Sequence, residues 1–230
     1  MRRLLLALAL VTAAVAAAGC VPGEEARKAE ALLDESNEAF ADLATYRLGG
    51  VMSMDTPLGA ISFEIAADVD QGAEAMVMRM SSPDLPGADM LMVVRGDSFW
   101  MNMAGAGWQP VPDPPPGMAG AEQFDVLPHV KDVEVEEGQA VDGEAAVKIT
   151  GVLDLDSFAE GFMAGIPEGV DVDASFGDTR IVVYLSERTK LPLRMLMDQS
   201  MEIEGETMEV HMDLALSNLN EPVDIPNPGA

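Results

Sequence analysis

The chain has 230 residues, 40 of them acidic against 13 basic, for a formal net charge of −27. Such a surface repels polyanions, which excludes nucleic acid as a partner. A single cysteine excludes an intrachain disulfide and a cysteine-based structural metal site, and the length suits one domain with a sizeable core.

The N-terminus, MRRLLLALALVTAAVAAAGC, has three parts. Arg2 and Arg3 are positive, and Leu4 to about Val15 is an apolar run too short to span a bilayer. The small residues Ala17, Ala18 and Gly19 follow, which is the layout of a secretory signal. Ala17-Ala18-Gly19-Cys20 resembles the lipobox of bacterial lipoproteins, with Ala17 where Leu is usual. The resemblance implies that residues 1–19 are a signal peptide, and that Cys20 is diacylated (palmitate-type chains) and holds the protein on a membrane. Each buried methylene contributes about 0.8 kcal/mol, so two or three chains anchor without a transmembrane helix. Residues 20–25 then form the lipidated cysteine and a short tether, and 26–230 a single domain. An ordinary secreted protein with a stray cysteine is the plainer alternative. Loss of Arg2 and Arg3 with the signal takes the charge from −27 to −29. So acidic a surface suits either a saline or cation-rich habitat, where salt screens self-repulsion, or an ordinary solvated face.

From Glu24 to about Ala44 the pattern is helical. Ala29, Leu32, Leu33, Ser36, Phe40 and Leu43 form one stripe at three- and four-residue spacing. The period then switches to two, as in Ile61 to Asp70 and Met208 to Leu214. Similar runs occur at about 46–55, 74–82, 89–95, 97–103, 131–137, 143–153, 178–187 and 192–203. Turn signals such as Gln71-Gly72, Gly96-Asp97 and Asp142-Gly143 separate them, which predicts an antiparallel meander of about ten strands. Ala104 to Gly120 is too rich in Pro and Gly for regular structure and reads as a loop. Short helices are predicted at Asp154 to Gly165 and about Ala121 to Val130.

Methionine is abundant, 17 residues against 11 aromatics. It recurs at even spacing: Met52 and Met54; Met76, Met78 and Met80; Met90 and Met92; Met101 and Met103; Met195 and Met197. Even separation on a strand places side chains on one face. These residues are the candidate ligand-binding positions, because long, polarizable methionines adapt to apolar, variable partners. A core filled with methionine under a helix is the competing reading.

Several stretches along the mature chain resemble the LppX/LprA/LprF/LprG lipoproteins of the actinobacterial envelope, relatives in fold of the LolA/LolB carriers. They are Cys20, the first helix ending near Tyr46, Gly96 to Trp100 with Gly107-Trp108, Val141 to Gly143 leading into Ile149 to Gly151, the hairpin Tyr184 to Arg194, and Asn220 to Pro226. The resemblance implies an α+β fold: a strongly curved antiparallel β-sheet, a half-barrel, with helices across its concave face. It further implies an apolar cavity for acylated lipids, glycolipids or lipoproteins. Charged lipids would want basic groups at its mouth, for which Arg47, Arg79, Arg95, Arg180 and Arg194 are the strand-borne candidates.

Catalysis finds little support. His129 and His211 are the two histidines, and no nucleophile elbow or phosphate loop is present. Asp171 to Asp178 mimics a calcium loop, but its glycine is displaced and its twelfth position is Val182. No cofactor or metal is expected. The leading expectation is an exported, monomeric lipoprotein on the outer face of the cell membrane that carries acylated lipid. The alternative is an envelope interaction protein with a filled core that docks a protein partner.

Overall fold

A computed structural model describes residues 24–56, 59–112, 129–154, 174–203 and 206–229. Helix α1 (Glu24–Ala41) begins with two glutamates that favour a helix N-terminus. It starts two residues inside the expected tether and ends three before the expected limit, as the sequence turns to the β-favouring Thr45-Tyr46.

Eleven strands follow. They are β1 (Thr45–Thr56), β2 (Gly59–Asp70), β3 (Ala75–Ser81), β4 (Met90–Arg95), β5 (Ser98–Met103), β6 (Gln109–Pro110), β7 (Val130–Val141), β8 (Glu144–Leu153), β9 (Ala174–Ser186), β10 (Pro192–Ile203) and β11 (Glu206–Ser217). All belong to one antiparallel sheet in the order β6-β5-β4-β3-β2-β1-β11-β10-β9-β8-β7. The expected meander is therefore two meanders, β1 to β6 and β7 to β11, joined where the first strand pairs with the last. That open sheet fits the expected half-barrel.

One correction concerns the loop from Ala104 to Gly120: Gln109 and Pro110 pair with Met101 and Trp100. Proline is tolerated there because β6 is an edge strand with one neighbour. Val130 opens β7, so the predicted helix at 121–130 does not reach its expected end. The rest of that helix, most of the one at 154–165, the signal and Cys20 lie outside the described residues.

Two glycines let strands approach closely. A Cβ on Gly50 would sit 1.9 Å from the Asp213 carbonyl oxygen, at the joint between the meanders. A Cβ on Gly151 would sit 2.4 Å from Val130 Cγ1, where the β7–β8 register shifts.

Side chains alternate between an apolar and a polar face. On the apolar face, Leu33 of α1 packs with Ile149, Leu153, Ile181, Val183 and Leu185. Ala39 and Phe40 pack on a second cluster holding Tyr46, Leu48, Val69 and Phe99. Ala29, Leu33, Ser36 and Leu43 of the predicted stripe are buried, and Leu32 and Phe40 half-buried. α1 is the one helix among the described residues. The other face has a small apolar patch of its own, where Ile225 and Val223 of the C-terminal segment cover Val77, Val93 and Trp100. Arg95 donates to the Pro226 carbonyl from Nε (3.0 Å) and to that of Ile225 from Nη2 (2.5 Å), clamping the segment in place.

Candidate functional site

Strand register places all eleven candidate methionines on the apolar face. Leu48, Ala67, Met78, Met92 and Met101 are successive cross-strand partners through β1 to β5. One row further along, Gly50, Ile65, Met80, Met90 and Met103 pair in the same way. Across the joint, Met52 faces Met212, which faces Met197. Met195 pairs with Leu214, Met54 with Val210 and Ile61, and Met76 with Val69 and Val94. Ile61, Phe63, Ile65 and Met212 belong to this face as much as the candidates do. Their own even spacing was the signal for them.

Burial divides the eleven. Met76 and Met78 are 2 % and 9 % exposed, packed near the end of α1 with Leu43, Tyr46 and Phe99. Met52, Met54, Met80, Met90, Met92, Met101, Met195 and Met197 are half-buried, and Met103 is 61 % exposed. The face therefore grades from packed core, at the Tyr46 end of β1, to accessible apolar surface at the Met54 end. Two hydroxyls on the packed side, Ser36 of α1 and Thr179 of β9, are fully buried, and their oxygens have no hydrogen-bond partner among the described residues.

The polar face gathers the charges. All five strand-borne arginines lie there, so none of them lines the methionine side. Arg47 Nε donates to Asp68 Oδ1 at 2.5 Å, and Arg79 lies 3.9 Å from the same carboxylate. Arg194 grips Asp213 with two nitrogens, at 2.8 and 2.5 Å. That hydrogen-bonded pair lowers the Asp213 pKa and raises that of Arg194. His211, on a polar position of β11, bonds through Nδ1 to Asp198 at 2.7 Å and lies 3.8 Å from Asp55. The Asp198 hydrogen bond, helped by nearby carboxylates, raises its pKa above the ordinary value. His129 stands before β7, where its carbonyl accepts from the Asp154 amide. Among the described residues no cluster of His, Cys, Asp and Glu suits a metal ion, and no helix is long and apolar enough to cross a membrane.

An apolar face of one open antiparallel sheet, partly roofed by an N-terminal helix, is the architecture of the LppX and LprF type, and the fold is of that type. The chain is similar to LprF from Mycobacterium bovis at 19 % identity and a TM-score of 0.55, over 90 % of this chain and 100 % of that one. It is similar to the Mycobacterium tuberculosis lipoprotein LppX at 18 % identity and a TM-score of 0.51, over 86 % of this chain and 99 % of that one. No protein-family model matches the sequence, and no curated protein does.

Proposed function

We propose that this chain is an exported lipoprotein, anchored through Cys20, that binds acylated lipids on its methionine face, beside helix α1. The carrying observation is the burial gradient. Nine of the eleven methionines stay half-buried or exposed on one continuous apolar face, an unfavourable arrangement in water unless something covers them. Unbranched thioether side chains mould to acyl chains of differing length at little cost. The candidate ligand-contacting residues are thus Met52, Met54, Met80, Met90, Met92, Met101, Met103, Met195 and Met197, while Met76 and Met78 belong to the packed end of the same face.

The test combines two measurements on the full-length processed protein. Mass spectrometry of an organic-solvent extract should find co-purified acylated lipid. Met80→Trp, at a half-buried site between Ile65 and Met90, should displace that lipid without lowering the melting temperature. A wild-type protein free of lipid, together with a strongly destabilised Met80→Trp, would show instead a filled core serving a protein partner. Separately, Cys20→Ala should leave the membrane fraction, and its retention there would refute the anchor.

A further inference from the structure

We infer that the lipid taken by the methionine face has a head group with no net negative charge, as a diacylglycerol or a neutral glycolipid has, and that anionic phospholipid is excluded. This rests on the carrier reading above and adds the class of lipid.

The reason lies in where the bases are. Beyond Arg2 and Arg3 the sequence holds eleven lysines and arginines, and the described residues include every one. The five strand arginines sit on the polar face, held by Asp68, Asp213 and the C-terminal carbonyls or, for Arg180, exposed to solvent. Lys148 and Lys131 also alternate onto that face, bound to Glu136 and Asp154. Four bases remain, on α1 and the β9–β10 turn. Lys28 pairs with Glu137, Lys190 with Glu35 and Arg188 with Glu144, while Arg27 is exposed on α1, away from the buried stripe. Every strand-borne base thus lies across the sheet from the methionines, and three of the other four are held by carboxylates. The internal segments outside the described residues do not change this. Residues 113–128 and 155–173 contain no lysine or arginine and eight carboxylates. Wherever they lie, they bring negative charge alone.

An anionic head group brought to this face therefore meets no strand-borne cation and a net protein charge of −27. Taking a charge out of water without a partner is costly, and the surrounding field adds to that cost. A half-buried polar group on this face, Gln199 opposite Val210, is uncharged and suits an ester or a hydroxyl.

Dioleoylglycerol and dioleoylphosphatidylglycerol share their acyl chains and differ in the head group, so they isolate the effect. Native mass spectrometry of the full-length protein, titrated with each at equal concentration and low salt, should show at least a tenfold preference for the uncharged lipid. Added salt should narrow the preference by screening the field. Met103→Arg places a cation on the exposed rim of the face and should recover phosphatidylglycerol binding by about fivefold, the effect of one unit charge near 4 Å in water. Equal or stronger binding of phosphatidylglycerol to the wild-type protein would overturn the inference and leave the carrier reading standing. Binding of neither lipid, with none co-purified, would overturn both.

Discussion

Gly50 and its neighbour Gly49 make a matched pair for testing how the two halves of the sheet are joined. β1 and β11 are the one pairing between the meanders, and Gly50 sits opposite Leu214 in that ladder. An added Cβ would lie 1.9 Å from the Asp213 carbonyl oxygen and 2.9 Å from two further backbone atoms. Ordinary contact begins near 3.4 Å, so the strands must part by about 1.5 Å. A backbone atom cannot swing aside as a side-chain tip does. Overpacking of this kind costs about 1–3 kcal/mol, and stretching the adjoining ladder hydrogen bonds adds about 1 kcal/mol. Gly50→Ala should therefore lose about 3 kcal/mol, or about 6–12 °C in melting temperature for a domain of this size. A Cβ on Gly49 meets nothing within 4 Å, and its backbone is not in the left-handed region. Gly49→Ala should be neutral or gain about 0.4–1 kcal/mol by restricting the unfolded chain. Thermal melts followed by far-ultraviolet circular dichroism separate the two. A Gly50→Ala protein melting within about 2 °C of wild type, or an equal loss from Gly49→Ala, would refute the close approach at the joint.

Salt should raise the melting temperature between low and molar sodium chloride, since a net charge of −27 opposes compaction; a flat or falling trend contradicts this. His211 has a folded pKa above its unfolded value, so its bond to Asp198 stabilises fully below the unfolded pKa, and that contribution fades as pH rises through the folded one. The melting-temperature deficit of His211→Asn should thus be larger at pH 5.5 than at pH 9, by a small amount because the pair is exposed. A deficit that grows with pH would reverse the assignment. Ile225→Ala should cost about 2–3 kcal/mol in urea melts by uncovering Val77 and Val93, whereas an unchanged midpoint would mean the C-terminal segment adds nothing to the fold.

Local periodicity carried much of this molecule. The stripe from Ala29 to Phe40 is enough to define α1, and alternation in Ile61 to Asp70 or Met208 to Leu214 defines both a strand and which of its residues share a face. The eleven methionines could be assigned to one side of their strands for the same reason: a side-chain period of two is a property of neighbours in the chain. Spacing along the chain says nothing about which strand lies beside which. That β1 pairs with β11, more than 150 residues away, depends on Gly50 and Asp213 meeting, and neither residue advertises the other. Burial is likewise a property of what arrives from elsewhere. Met78 and Met80 look alike in sequence, yet the Leu43 and Tyr46 cluster covers the first and leaves the second half open. The partners of the arginines belong to the same class of fact. Alternation places Arg47 opposite the methionines, but only the packed sheet brings Asp68 to it, 21 residues on, because the energy of that contact depends on distance in space.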